Sequence, residues 1–231
     1  YGTTDTDTGV FTPAGPLYTT TTVGTGTLTL QRKHGDLTGS GALSITSGGK
    51  LIVNNTSGTV GAINFGGNSF TPISAPFSAL VSGAGSALTY NGLDANITVS
   101  RENGASGTMT VSAGAAVTAR SFNVARNVGS TGTLNVAGIG TTVNLIGEAA
   151  GAFGALLSVG VRGIGTANVG GGAIVSLDAS TTTHTSGVFV GGNTVLSGGG
   201  TGTLTVSGAG SRINTLGGIA HLRIGTDPTG G

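Results

Sequence analysis

A five-residue segment that recurs along the chain constrains the fold more than any other feature of this sequence. Clear copies read Gly-Thr, two further residues and Val, and their closing valines follow Val81 at intervals of 30, 25, 33 and 37 positions. Self-similarity at periods of about 20–50 residues indicates a repeat architecture such as a solenoid. The clear copies are Gly107 to Val111, Gly132 to Val136, Gly165 to Val169 and Gly202 to Val206, and the weaker ones are Gly26 to Leu30, Gly41 to Ile45 and Ser78 to Val81.

Within each copy, apolar residues alternate with small or polar ones. A period of two is typical of a β-strand with one buried face, whereas a helix has a period of about 3.6. We therefore expect a first strand in every repeat, with its apolar residues pointing into the core. The expected inward pairs are Leu43/Ile45, Met109/Val111, Leu134/Val136 and Leu204/Val206.

Two further strands are predicted in each repeat. A Gly-rich turn such as Ser207-Gly-Ala-Gly-Ser211 leads to the second strand, and Gly suits this turn because it adopts positive φ without steric cost. The apolar residues of the second strand are Leu88, Val117, Val143, Val175 and Ile213. The inward pairs of the third strand are Ile63/Phe65, Ile97/Val99, Phe122/Val124, Leu157/Val159, Val188/Val190 and Leu222/Ile224.

The position three residues beyond the third strand favours Asn or Asp, with Glu102 and Arg162 as departures. Asn and Asp tolerate left-handed backbone conformations and hydrogen-bond to their own backbone. We therefore predict a structural corner there, with a partial ladder of Asn side chains. The predicted corner positions are Asn68, Asn127, Asn193 and Asp227.

These patterns predict an all-β fold, a right-handed parallel β-solenoid (β-helix) of about seven coils with roughly 30 residues and three strands per coil. A single repeat buries too few apolar side chains to offset the conformational entropy lost on folding, so stability must come from stacked neighbours. Residues 1–23 lack the alternation and are predicted to be a Thr- and Pro-containing N-terminal arm, linker or cap. Residues 24–231 are predicted to be the solenoid, with loops bulging at Gly147 to Ala155 and Asp178 to Ser186.

Composition argues against several classes of function. The 231 residues include 47 Gly, and nine basic and eight acidic residues give a formal charge of +1. No basic surface is expected to neutralise phosphates, so nucleic acid is not an expected partner. The absence of Cys excludes disulfides and thiolate metal sites. The most apolar stretch, Ala149 to Val161, is shorter than the roughly 20 residues that span a membrane, so no integral membrane segment is expected.

Catalytic and metal-binding groups are thinly spread. After Asp7, no acidic residue has an acidic neighbour within seven positions, and the three His residues lack metal-ligand spacing. We therefore predict no catalytic residue, no cofactor, no metal site and no enzymatic activity. Thr27/Thr29, Thr108/Thr110 and Thr203/Thr205 suggest an outward ladder like that of ice-binding solenoids, but Ser44, Asn135 and Asn168 interrupt it. A general role of Thr in β-propensity and solubility is preferred.

The segment from Val190-Gly-Gly-Asn193 through Gly202-Thr-Leu-Thr-Val206 to Ser211 resembles the repeat shared by bacterial autotransporter passengers and PEP-CTERM-associated surface proteins. The resemblance covers roughly residues 39–231 and is clearest in the last four repeats. It implies export, a β-solenoid passenger and a location on the bacterial cell surface or outside the cell. It implies no catalytic residues, since such repeats are scaffolds for varied activities.

Three functions are therefore weighed. The leading hypothesis is an exported structural or adhesive module whose partners are other copies of the chain, or a glycan or protein on a host or cell surface. The second is a self-assembling extracellular filament subunit, because uncovered strand edges seek partners and residues 1–23 could add a strand to a neighbour. The third is a β-helix enzyme acting on polysaccharides, which would need a carboxylate cluster that the sequence does not show.

Overall fold

The computed structural model describes residues 4–7, 20–32, 37–39, 42–55, 62–65, 67–68, 71–72, 76–92, 95–148, 154–192, 199–218 and 220–225. Every regular element within these residues is a β-strand, and the strands are numbered β1 to β24 along the chain. Three sheets of parallel strands surround one apolar core. The chain is therefore an all-β parallel solenoid, and this part of the prediction is confirmed.

Sheet A contains the predicted second strands, together with three strands that precede them in the chain. Its strands are β1 (Thr4–Asp7), β3 (Thr27–Arg32), β6 (Lys50–Asn55), β11 (Ala87–Asn91), β14 (Ala116–Ala119), β17 (Thr142–Ile146), β20 (Ile174–Asp178) and β23 (Arg212–Leu216). Sheet B contains the recurring Gly-Thr segment, except for the weak copy Gly26 to Leu30. The prediction of that copy as a first strand is wrong, because residues 27–30 lie in β3 and pair with β6 of sheet A. Its strands are β2 (Thr20–Val23), β5 (Ala42–Ile45), β10 (Phe77–Ser82), β13 (Ser106–Ser112), β16 (Thr131–Ala137), β19 (Ile164–Gly170) and β22 (Thr201–Ser207).

Sheet C contains the predicted third strands. Its strands are β4 (Leu37–Gly39), β7 (Ala62–Phe65), β12 (Asn96–Val99), β15 (Ser121–Val124), β18 (Leu156–Val159), β21 (Ser186–Val190) and β24 (Ala220–Ile224). A short antiparallel pair, β8 (Gly67–Asn68) and β9 (Thr71–Pro72), lies outside the three sheets.

Five consecutive turns run from β10 to β24, and each contributes one strand to sheet B, then sheet A, then sheet C. This run is shorter than the predicted count of about seven coils. On its N-terminal side, β2 to β7 extend the same three sheets. β1 and β2, which fall within the predicted arm 1–23, pair in parallel with β3 and β5.

The register from turn to turn aligns equivalent residues of the repeat. In sheet B the closing apolar residues of successive strands are Cα partners, as the sequence spacing predicts. Val111 and Val136 are 0% and 1% exposed, whereas Thr110 and Asn135 between the inward positions are half-buried. The aligned residues are Val81, Val111, Val136, Val169 and Val206.

Sheet C differs from sheets A and B because both of its faces are buried in β15, β18 and β21. Every residue of β15 and β18 is buried. The outward-facing Leu156 and Phe189 are only 6% and 2% exposed, yet neither belongs to the central core cluster. The outer face of sheet C is therefore covered at β15, β18 and β21 and is not a free surface there.

From β10 onward, corners of two lengths alternate where the chain passes from sheet B to sheet A. Four-residue corners occupy residues 83–86, 138–141 and 208–211, and three-residue corners occupy residues 113–115 and 171–173. Each of these four-residue corners ends in Ser86, Thr141 or Ser211, whose hydroxyl accepts a backbone N–H from the preceding corner. The donors are Gly48, Gly114 and Gly172, at 3.0, 3.0 and 2.9 Å respectively.

Candidate functional site: the last turn of the solenoid

The last turn, formed by β22, β23 and β24, exposes side chains that are buried in every preceding turn of the run. Val206 is 44% exposed, although its register partners Val169 and Val136 are each 1% exposed. These residues occupy equivalent places in the repeat, so the difference in exposure arises because no described strand packs beyond β22 in sheet B.

The same contrast is stronger in sheet C. Leu222 and Ile224 are 69% and 79% exposed, while their partners Val188 and Val190 are 4% and 7% exposed. Leu204 and Ile213 are partly buried and pack against the core beneath them. Contiguous apolar surface of this kind marks interaction sites in many proteins.

The apolar surface is flanked by strand edges that no described strand pairs with. β22, β23 and β24 are the terminal strands of sheets B, A and C, and no other strand in the described ranges pairs with their outer edges. A free edge presents alternating N–H and C=O groups that can pair with another strand. The last turn therefore offers three strand edges around an apolar centre.

Basic side chains surround this end. Arg212 and Arg223 are exposed, His221 is half-buried, and the sequences of β22, β23 and β24 contain no acidic residue. The Arg212 Nη1 donates to the carbonyl of Gly210 at 3.3 Å. The rim therefore favours a partner with acidic or neutral polar groups. This basic rim was not predicted from the sequence, although Arg212, His221 and Arg223 lie within one repeat.

Asn127 is the predicted corner residue whose side chain is described. Its Nδ2 donates to Glu102 Oε2 of the preceding turn at 3.2 Å. The carbonyl of Asn127 accepts from the backbone N and the Oγ of Ser130, at 3.1 and 2.6 Å. Asn68 lies in β8, with its side chain outside the described residues, and Asn193 and Asp227 lie wholly outside them.

The left-handed backbone at this corner falls on the residue directly after the third strand. Ser100 and Ala125 have φ of 60° and 55° there, and Gly160, Gly191 and Gly225 occupy the same place in later turns. The strained position is thus two residues before Asn127. Asn127 instead links its own turn to the preceding one through the hydrogen bond with Glu102.

Glu102 links two successive turns at this corner. Its Oε1 lies 3.2 Å from the Nε of Arg101, its neighbour in the same turn, and Glu102 is 9% exposed. Its Oε2 accepts the hydrogen bond from Asn127 of the next turn. Among the residues that the structure describes, no group of three or more His, Cys, Asp or Glu side chains could hold a metal ion.

The described ends of the two longer segments bond to each other. The backbone N of Gly147 donates to the carbonyl of Asp178 at 2.7 Å, and Thr181 Oγ1 donates to the carbonyl of Gly147 at 2.5 Å. The backbone N of Ala155 donates to Ser186 Oγ at 3.0 Å. These residues therefore continue the turn-to-turn bonding, whereas residues 149–153 lie outside the described part.

Comparison of the chain with protein families, curated proteins and solved structures finds no match. Among the described residues, no helix is long and apolar enough to cross a membrane.

Proposed function

We propose that the chain is a structural or adhesive module of an exported bacterial protein, located on the cell surface or outside the cell. In this proposal about seven right-handed coils form a stalk that carries no catalytic or cofactor site. The composition and the resemblance to autotransporter passengers and PEP-CTERM-associated proteins support export. The continuous core and the three in-register sheets support a mechanical role.

The observation that carries the proposal is the continuous stacking of the turns. A stalk transmits load through its backbone ladders, and in the described residues those ladders run through three sheets around one apolar core. Burying Leu222, Ile224 and Val206 under a further layer of strands would stabilise the end by about 25 cal/mol per Å² of apolar surface. The same burial would satisfy the open strand edges.

The end surface also favours the second hypothesis, a filament in which another copy of the chain supplies that layer. Such contacts are heterologous when the end of one copy binds a different surface of the next copy, and repeated heterologous contacts build a filament. Formation of the proposed filament depends on chain concentration and on the apolar residues at the end. A stalk that works as a single copy does not associate at any concentration.

Electron microscopy and light scattering of the purified chain over a range of concentrations test association at the end. We expect the double variant Leu222→Lys and Ile224→Lys to abolish any concentration-dependent assembly. The matched control replaces Ile139 with Lys and Val128 with Lys, since these apolar residues are 87% and 59% exposed at corners away from the end. If the control abolishes assembly as fully as the end variant, the end is not the association surface.

The cellular location is tested separately with an antibody against the chain. Intact, unpermeabilised cells of the source bacterium, or their culture medium, should react with the antibody. A signal that appears only after permeabilisation would contradict export while leaving the association result unchanged.

A further inference from the structure

Charged side chains segregate to two edges of the solenoid between β10 and β21. In this stretch of the described chain, every half-buried or exposed Arg lies where the chain passes from sheet C to sheet B, and Lys does not occur. Every half-buried or exposed Asp or Glu of the same stretch lies at or beside the passage from sheet A to sheet C. The basic residues are Arg101, Arg126 and Arg162, and the acidic residues are Glu148 and Asp178.

The basic edge is formed by residues of three successive turns, namely Arg101, Arg126, Val128, Arg162 and Ile164. Arg162 is exposed, and Arg101 and Arg126 are half-buried. Val128 and Ile164 are 59% and 58% exposed, so apolar surface accompanies the charges. The basic edge therefore combines positive charge with exposed aliphatic side chains.

The acidic edge is formed by Ile146, Glu148 and Asp178. Ile146 ends β17 and is the Cα partner of Asp178, which ends β20 one turn later. Ile146 is 43% exposed, and the two acidic residues are half-buried. The acidic edge therefore combines negative charge with an exposed aliphatic side chain, as the basic edge does with the opposite sign.

Two described residues of the opposite sign lie at these edges, and both are buried. Glu102 lies at the basic edge, is 9% exposed and binds Arg101. Arg120 lies at the acidic edge and is 3% exposed. Its guanidinium donates to the carbonyl of Gly154 at 3.2 Å and to Asn96 Oδ1 at 2.6 Å. The accessible surface of each edge therefore carries one sign of charge.

The positions of the two edges determine how two copies of the chain fit together. A basic edge against an acidic edge brings opposite charges together, whereas two edges of the same kind repel each other. Both edges flank sheet C, so opposite edges meet when two copies lie side by side with parallel axes. Each copy then keeps one unoccupied edge, and such a heterologous contact repeats into a row.

We propose that a second copy of the chain docks sideways on the first, with its acidic edge against the basic edge. Arg126 and Arg162 of one copy then face Glu148 and Asp178 of the other, and the exposed aliphatic side chains of both edges lie within the contact. Repetition of this contact builds a row of solenoids with sheet C on one side. Sideways docking is independent of the last turn, because it uses the edges of earlier turns.

Sedimentation and light scattering of the purified full chain at low and high salt test the proposal. We expect concentration-dependent association at low salt and its loss at about 1 M salt, where the Debye length is only about 3 Å. Association through the apolar last turn persists at high salt, so variants of the last turn are measured there. The two kinds of association can therefore fail separately.

Two charge-reversal variants identify the edges. Arg126→Glu with Arg162→Glu makes both edges acidic, and Glu148→Lys with Asp178→Lys makes both edges basic. Neither variant should associate alone at low salt, whereas an equimolar mixture of the two should associate. Circular dichroism and thermal unfolding establish that each variant keeps its fold. If a reversal variant unfolds, the milder changes Arg162→Gln and Asp178→Asn should each reduce the associated fraction.

The matched control is Arg212→Glu with Arg223→Glu, which makes the same change of net charge at exposed positions of the last turn. The control should retain the association of the natural sequence at low salt. Absence of association in the natural sequence at low salt would overturn the proposal. Equal loss in the control, or a mixture of the two reversal variants that stays monomeric, would also overturn it.

Discussion

Thr141 Oγ1 accepts a hydrogen bond of 3.0 Å from the backbone N of Gly114, which lies one turn earlier in the solenoid. The same hydroxyl donates to the carbonyl of Ala137 at 2.9 Å, so one side chain joins two turns. Ser86 repeats the arrangement with Gly48 and with the carbonyl of Ser82. From β10 onward, every second corner therefore accepts a backbone hydrogen bond from its predecessor through a side-chain hydroxyl.

Replacing Thr141 with Val should destabilise the fold by about 1–3 kcal/mol, because the Gly114 N–H loses its acceptor. Thr141 is fully buried, so water is a poor substitute for the lost hydroxyl. Urea unfolding measures the change in free energy. Thr141→Ser keeps the hydroxyl and serves as the control, and it should cost clearly less than Thr141→Val. A cost for Thr141→Val no larger than that for Thr141→Ser would contradict the role of the hydrogen bond.

Val136→Asp should lower the free energy of unfolding by about 3 kcal/mol or more, since a buried carboxyl group has no partner in the apolar core. Val136 is 1% exposed and lies between turns that pack on both of its sides. Val206→Asp is the matched control, because Val206 occupies the same repeat position but is 44% exposed. Thermal unfolding should show a much smaller effect for Val206→Asp. Similar effects would contradict the opening of the core at the last turn.

From β10 to β24, the sequence predicted the inward residues of all three sheets because each strand is recognisable from its own residues. Alternating apolar residues and Gly-rich turns predict each strand, and the similar sequences of successive strands predict the register of Val111 against Val136. The buried outer face of sheet C was not predictable in this way. Leu156 and Phe189 are apolar at outward positions, and alternation alone does not reveal that this face is covered there.

The contacts of the candidate site were predicted only in part. The exposure of Leu222 and Ile224 follows from the absence of a further strand in the described part of each sheet, and the sequence pattern indicated it. The link from Asn127 to Glu102 depends on which side chains of successive corners meet. Sequence spacing placed both at one corner position but gave no side-chain directions.

Asp178 should titrate below the ordinary range of an aspartate. Ser180 donates hydrogen bonds to its carboxylate from the side chain and from the backbone, and both lower the pKa of Asp178. A lowered pKa in the folded state means that this group stabilises the fold above its unfolded pKa, and that the contribution is lost as pH falls through the folded pKa. Carboxyl chemical shifts measured by NMR should show the low pKa. Ser180→Ala should raise it, and an unchanged titration would contradict the role of the side-chain bond.

Phe77 and Gly107 should be energetically coupled, because they are Cα partners in sheet B and a Cβ at Gly107 would overlap the Phe77 ring. The ring also stacks on Phe65 of sheet C, with centroids 5.3 Å apart and planes at 17°.

Phe77→Ala should cost about 3–5 kcal/mol through the cavity that it leaves. Gly107→Ala should cost about 1–3 kcal/mol in the natural background through overpacking. In the Phe77→Ala background the same change meets empty space, so its cost should nearly vanish. A double-mutant cycle from urea unfolding measures this coupling. Additive costs would mean that the ring does not occupy the space above Gly107.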